Sequence, residues 1–416
     1  KADVVILGLG YVGLPTAALI ASKRTFVHGV DTNEKIIDGI KNEKIHINEP
    51  GLNSLIIKVK KSGFFECNTS PIKSKIYIIT VPTPIKKNNK PNLSYIKNAT
   101  KSIIDLLDKG DLYIIESTSP VGTTEKVADY LSSLRNDLSI PNVCNKNKSN
   151  ISIAHCPERV LPGKIIEELQ SNDRIIGGIT ENCTKSAVEF YKLFINSDCL
   201  TVDSRTAEMC KLVENSFRDV NIAFANELSV ISDQLGIDVF NLIELANRHP
   251  RVNILQPGPG VGGHCIAVDP WFIIESAPES SRLIGTARKV NDEKPEFVLS
   301  QLKSLIKETG SKYSDLTISC FGLSFKPNID DLRESPALEI AKSVESIGFK
   351  KVCIIEPNIE KLPTVFTRKN TSLITMDDAI NQSDILLLLV DHKEFISLES
   401  EKLKGKFILD TKGIWR

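Results

Sequence analysis

The run Asp3-Val4-Val5-Ile6-Leu7-Gly8-Leu9-Gly10-Tyr11-Val12-Gly13 decides the fold of this chain. Its apolar start reads as a strand buried in a parallel sheet. The strand runs straight into a GxGxxG and then into a helical run from Pro15 to Ala21. In that pattern Gly8 makes the tight turn, Gly10 admits a pyrophosphate, and Gly13 lets helix and strand pack. The helix start then offers unpaired N–H groups to the phosphates. A bare GxGxxG is weak evidence, because a Gly-rich turn needs no ligand. Here a second strand, Phe26 to Val30, ends in Asp31, 18 residues after Gly13. An acidic residue in that place bonds ribose hydroxyls, which argues for NAD over NADP.

Strand and helix patterns go on alternating through this half. Ile76 to Val81 is a strand ending in Pro82-Thr83-Pro84, and Leu112 to Glu116 another, ending in Ser117-Thr118-Ser119-Pro120. Ligands of such sheets bind at the carboxyl ends of strands, which places Thr83 and Thr118 beside the cofactor. Hydroxyls there equally cap helices, and for Ser117 capping is the better reading. Lys86 to Asn92 and Asn145 to Asn150 read as surface loops. The strand Ile151 to His155 ends in Cys156-Pro157-Glu158-Arg159-Val160-Leu161-Pro162-Gly163-Lys164. Glu158 is well placed there for acid/base work and Arg159 for an anion, although a surface ion pair explains such neighbours as well.

From Ser204 to Leu235 one helical pattern carries Cys210, Val213, Phe217, Val220, Phe224, Leu228, Ile231 and Leu235 at spacings of three and four. Such an amphipathic rod, ~45–50 Å long, can join two domains and can pack two subunits. Beside the stripe, Lys211, Asn215 and Arg218 share one polar face. A solvated face is the ordinary explanation, but mid-helix Asn without a partner is unfavourable. Next come His249 and Arg251, then Pro257-Gly258-Pro259-Gly260-Val261-Gly262-Gly263-His264-Cys265. The glycines let this loop approach a ligand closely. A helix starting at the cysteine would favour its thiolate, whereas a buried inert thiol fits the local pattern equally. Asp269 stands one helical turn on, yet Asp269-Pro270 is also an ordinary helix start.

After Asn291-Asp292-Glu293-Lys294-Pro295 a helix leads to Gly310, and Leu316 to Gly322 opens a second series of strands and helices. Further strands are expected at Val352 to Glu356, Asp384 to Val390 and Phe407 to Asp410. No GxGxxG occurs there; Ser335-Pro336 starts a helix, and Lys326 with Arg333 suggests a phosphate clamp. The expected architecture is α/β: two Rossmann-like doubly wound domains joined by a long central helix. Domains are expected at 1–200 (NAD-binding), 201–300 (central helical, with the cysteine loop) and 301–416 (Rossmann-like).

Composition bounds the function. The 416 residues hold 52 Lys plus Arg against 52 Asp plus Glu, so no global field points to nucleic acid or a membrane. The longest apolar run, Ile385 to Val390, is too short to span a bilayer, and the N-terminal run lacks a signal-peptide pattern. A start at Lys1 rather than Met suggests that a few residues precede it. Nine cysteines without CxxC pairs and six histidines without zinc spacing suit a reducing cytoplasm and no metal.

As a whole the chain resembles the UDP-glucose/GDP-mannose dehydrogenase family, on GLGYVG, VPTP, CPERVLPGK, AEMCKLVENSFRDVN, PGPGVGGHC and FKPNIDDLRESP in order. Within it, CPERVLPG and ANRHPRVNILQPGPGVGGHCIAVDPWFI look most like the branch that acts on UDP-N-acetylmannosamine. Arg159-Val160-Leu161-Pro162 departs from the pattern of UDP-glucose members and suits an N-acetylated hexosamine. The resemblance implies a four-electron oxidation of C6 with two NAD, through a thiohemiacetal and a thioester on Cys265. It implies Lys211 and Asn215 at the oxyanion, Asp269 with Thr118 at the water, and Glu158 as the base for hydrolysis. By the same resemblance Gly8, Gly10, Tyr11, Val12, Gly13, Asp31, Thr83, Thr118 and Arg333 touch the cofactor. Arg159, Val160, Lys211, Asn215, Arg218, His249, Arg251, Gly262, Phe325 and Lys326 touch the UDP-N-acetylhexosamine. A homo-oligomer, dimer or higher, is expected. The same chemistry on UDP-N-acetylglucosamine or UDP-N-acetylgalactosamine, or a silent NAD/UDP-sugar binder, are the alternatives.

Overall fold

Val4–Leu7 forms β1, and its alternation already sets the layers. Val4 and Ile6 enter one apolar cluster, Val5 and Leu7 the cluster on the other face, so helices must cover both sides of the sheet. The computed structural model describes residues 1–142, 149–161 and 163–416. The expected loop at Asn145–Asn150 and Pro162 of the CPERVLPG run therefore lie partly or wholly outside the described residues.

Two compact units result: residues 1–214 with 271–278, and residues 215–270 with 279–416. In the first, β1 is followed by α1 (Gly13–Ser22), β2 (Val27–Val30), α2 (Glu34–Lys41), α3 (Leu52–Lys61), β3 (Phe65–Asn68), β4 (Ile76–Ile79) and α4 (Ser94–Ile103). Then come β5 (Leu112–Ile115), α5 (Thr123–Leu134), β6 (Ser152–His155), α6 (Ile165–Ser171), β7 (Arg174–Gly178), α7 (Glu181–Tyr191) and β8 (Cys199–Asp203). The eight strands lie in the order β3-β2-β1-β4-β5-β6-β7-β8. All neighbours are parallel except β6 and β7, where Ala154 faces Gly178 and His155 faces Gly177. Continued past its last pair, that reversed register brings Arg174, the first residue of β7, alongside Glu158.

Helix α8 (Ser204–Leu235) begins in the first unit and ends in the second, over the bounds its periodicity predicts. Much of its apolar stripe is not buried: Phe217 is 67% and Leu235 66% exposed, and Val213, Phe224 and Ile231 are exposed as well. Helices α9 (Val239–Ala246), α10 (Asp269–Ser276) and α11 (Arg282–Glu308) follow. The sequence suggests a helix beginning after Pro295, but α11 starts at Arg282 and carries that proline inside it. A proline there cannot donate to the carbonyl of Asn291, four residues back. The built-in position of a Cβ on Gly260 lies 3.3 Å from that carbonyl oxygen, so the chain of the cysteine loop passes beside it.

The second sheet comprises β9 (Thr317–Phe321), β10 (Lys351–Ile355), β11 (Thr371–Leu373), β12 (Ile385–Leu388) and β13 (Phe407–Asp410), with α12 (Pro336–Ile347), α13 (Met376–Gln382) and α14 (Lys393–Ile396). Its order, β11-β10-β9-β12-β13, repeats that of the first five strands of the other sheet, and every pair is parallel. Ser335 caps α12 as its sequence predicts, accepting from Leu338 N at 3.3 Å, with Pro336 in the first turn.

Candidate active site

In the first unit the Gly-rich turn is closed by contact rather than by habit. Gly8 has φ +103°, and a Cβ on Gly13 would fall 1.8 Å from the carbonyl oxygen of Gly8. Nothing lies within 4 Å of a Cβ on Gly10, so the second glycine leaves open the approach that a pyrophosphate needs. Asp31 accepts from Leu9 N at 3.0 Å and from Asn33 N at 2.9 Å, which ties β2's end to the turn and fixes its carboxylate beside it. Tyr11 is exposed and Val12 half-buried at the same rim. A cradle of this shape fits a dinucleotide.

Thr83 Oγ1 donates to Thr118 O at 2.6 Å, so the ends of β4 and β5 meet. Ser117 does not cap a helix; its hydroxyl is turned back to Val81 O at 2.7 Å. The loop bearing Thr118 is held from below by a residue that motif reading passed over. Glu208 of α8 is buried and accepts from Gly122 N, Thr124 N and Thr124 Oγ1 at 2.5, 2.7 and 2.6 Å. An anion at the start of α5 suits that helix's positive end. Lys211 stands three residues further along α8, on the same side of the helix, and is half-buried.

Glu158 is buried and bonded to Arg174 Nη1 at 2.8 Å and to Arg159 N at 2.7 Å. The neighbouring Arg159 pairs instead with Glu214 at 2.5 Å, and Val160 packs at the edge of the core. The alternative reading of Glu158 and Arg159 as a surface pair of neighbours is thus replaced: each carboxylate or cation has a different partner.

In the second unit the cysteine loop is pinned at its entry and interlocked at its tip. Asn226 Oδ1 accepts from Gly258 N at 2.9 Å, and the Asn226 amide donates to Asn291, itself bonded to buried Asp219. At the tip, a Cβ on Gly262 would come within 2.3 Å of Glu334 O, and one on Gly263 within 2.8 Å of the Phe325 ring. Only glycine fits both, so the loop lies directly against the segment that carries Phe325, Lys326 and Arg333. Cys265 is an exposed thiol. The helix does not begin at it: Val268 N and Asp269 N donate to Cys265 O, and α10 starts at Asp269. Asp269 is buried and accepts from Asn215 Nδ2 at 2.6 Å, which ties its carboxylate to α8. Arg333 is bidentate on Asp331, and Lys326 is exposed on the same segment. Arg218, His249 and Arg251 are exposed.

Residues 2–195 match the NAD binding domain of the UDP-glucose/GDP-mannose dehydrogenase family, residues 205–293 its central domain and residues 319–416 its UDP binding domain. The chain belongs to this family. It is an NAD-dependent nucleotide-sugar dehydrogenase. The dehydrogenase is 50% identical over 419 residues to the UDP-N-acetyl-D-mannosamine dehydrogenase of Escherichia coli, covering 100% of this chain and 99% of that one. It is 51% identical over 410 residues to the NDP-N-acetyl-D-galactosaminuronic acid dehydrogenase of Ralstonia nicotianae, covering 99% and 95%. The solved UDP-N-acetyl-mannosamine dehydrogenase of Staphylococcus aureus superposes with TM-score 0.84 at 40% identity, covering 99% and 95%.

Besides Glu208, motif reading of this dehydrogenase passes over Arg174. The available signal is a charge opening the otherwise apolar strand Arg174-Ile175-Ile176-Gly177-Gly178. Among the described residues no group of three or more His, Cys, Asp or Glu side chains is arranged to hold a metal, and no helix is long and apolar enough to cross a membrane.

Proposed function

We propose that the chain oxidises C6 of UDP-N-acetyl-D-mannosamine to UDP-N-acetyl-D-mannosaminuronate. The observation that carries this reading is an exposed Cys265 on a loop that only glycines allow, in a chain half identical from end to end to a dehydrogenase named for that sugar. Gly8–Gly13 and Asp31 would hold NAD, which when bound would supply the hydride acceptor for both oxidations of C6. Cys265 Sγ adds to the C6 aldehyde, giving a thiohemiacetal whose oxidation leaves a thioester. Lys211 and Asn215 stabilise the oxyanion, and the Asn215–Asp269 contact orients the amide that does so. Asp269 and Thr118 place the water. Glu158 takes its proton as the water oxygen bonds to C6; the C6–S bond breaks and Cys265 leaves as a thiolate. Arg159, Val160, Arg218, His249, Arg251, Gly262, Phe325 and Lys326 contact the nucleotide sugar, and Arg333 a cofactor phosphate.

The chain works as a homo-oligomer, dimer or higher, in the cytoplasm. The exposed side chains of α8, five large apolar groups on one stripe, support the subunit contact. Its three parts are 1–200 for NAD, 201–300 for the helical core with the cysteine loop, and 301–416 for the UDP-sugar.

Purified protein is expected to release two NADH per UDP-N-acetylmannosamine consumed. A ratio of one, or no turnover of any UDP-N-acetylhexosamine, sinks the proposal. Oxidation of UDP-N-acetylgalactosamine is the second reading, favoured by the galactosaminuronic name of the Ralstonia relative. A side-by-side panel of the epimers separates the two.

A further inference from the structure

At the carboxyl ends of β5 and β6 the first unit buries an unbalanced set of charges. Glu116, Glu158 and Arg174 lie together with Tyr191 and Cys156, all of them buried. Arg174 donates to Glu158 Oε2 at 2.8 Å, and Tyr191 Oη donates to Glu116 Oε1 at 2.5 Å. The Arg174 guanidinium carbon is 5.2 Å from the centre of the Tyr191 ring. Two atoms are left open: Arg174 Nη2 and Glu116 Oε2 are buried without a hydrogen-bond partner. Native interiors keep few such atoms, and here one is a donor and the other an acceptor in the same cluster.

One guanidinium neutralises one carboxylate. If both glutamates ionise, the protein interior holds a net negative charge, which is costly. Burial pushes the Glu116 carboxyl up to about 7; Arg174 pulls against it, Glu158 adds to it, and the Tyr191 hydroxyl pulls against it again. The other titratable neighbours stay neutral over that range. Burial pushes the Cys156 thiol up to about 12 and raises Tyr191 well above its ordinary value, while burial holds the His155 ring, next along β6, at about 3.

We propose that Glu116 and Arg174 are positioning residues for Glu158: Arg174 holds Glu158 alone while Glu116 carries a proton, and shares its open Nη2 with Glu116 once that proton has left. The inference rests on reading Glu158 as the base for thioester hydrolysis. A carboxylate less tied to a cation takes a proton from water more readily. Ionisation of Glu116 therefore speeds hydrolysis, although Glu116 touches no reacting atom.

The test is acid formation between pH 6 and 8.5, at saturating NAD and the best UDP-N-acetylhexosamine, with intact-protein mass used to detect the thioester. One group titrating near 7 gives the parent a roughly tenfold rise over that interval. Glu116→Gln keeps the shape of the side chain but has no proton to lose, and its rise should shrink to less than about twofold. Arg174→Lys keeps a charge without the second branch, and should flatten the profile likewise. A purely structural role would lower stability or rate at every pH and leave the profile unmoved. A parent without the rise, or a folded Glu116→Gln or Arg174→Lys protein that keeps it, overturns the inference. Glu158→Gln separates the two readings: it should accumulate the thioester at every pH. If it hydrolyses normally, the base assignment is wrong; if it accumulates while Glu116→Gln keeps the parent profile, only the present inference fails.

Discussion

Replacing His155 by Leu should flatten the acid side of the first unit's stability curve. His155 closes β6, is fully buried, and both ring nitrogens lack hydrogen-bond partners. Burial lowers it from 6.5 to about 3, so the native ring stays neutral while the unfolded ring protonates. The folded value is the depressed one. Stability is therefore complete above pH 6.5 and is lost as pH falls towards 3. Between pH 7.5 and 5 the unfolded chain gains nearly one proton that the native state refuses, a loss of about 2 kcal/mol at 1.36 kcal/mol per unit. Glu116 acts in the opposite sense, because its raised value makes the native state bind the proton first. Its contribution is common to both proteins and cancels in their difference. Urea unfolding at pH 5, 6 and 7.5, read by hydrogen exchange of the β4–β6 amides, reports this unit alone. With a slope near 2 kcal/mol per molar, the parent midpoint should fall about 1 M more than that of the Leu variant. Parallel losses in the two proteins would refute a neutral, unpartnered His155.

Three further outcomes are expected. Cys265→Ala should abolish acid formation while NAD still binds by calorimetry; unchanged turnover rules out the thioester route. Asp31→Ala removes the acceptor of Leu9 N and Asn33 N, and should weaken NAD binding at least tenfold and narrow its advantage over NADP; equal use of both cofactors by the parent would show that the reading of Asp31 is mistaken. Gly13→Ala places a methyl 1.8 Å from Gly8 O and 2.4 Å from Thr80 Oγ1. It should cost about 1–3 kcal/mol in thermal unfolding and lose NAD binding, and a parent-like titration would contradict the tight closure.

Local pattern was enough wherever one stretch of chain sets its own conformation. The Gly8–Gly13 turn, the bounds of α8 and the Ser335 cap of α12 were all legible, since each depends on residues a few positions apart. Pairings across the sheet were not. Arg174 reaches Glu158 only because β7 runs against β6, and nothing in either segment announces that reversal. Glu208 looks like one more helical acid until its oxygens are found on the start of α5. The helix that would have placed Cys265 at its start begins four residues later, after a turn in which Val268 N and Asp269 N donate to the cysteine carbonyl. Periodicity also gave α8 an apolar stripe but could not say what covers it.

The segment from Cys156 to Lys164 is fastened at both ends by side chains outside it. Arg174 grips Glu158 near its start, and buried Glu49 accepts from Gly163 N and Ile165 N at its close, each at 2.7 Å. Neither anchor involves the side chains of Arg159, Val160 or Leu161. Those three positions form an exchangeable cassette: they can be traded between relatives while both fastenings, and the β6 and α6 they join, stay as they are.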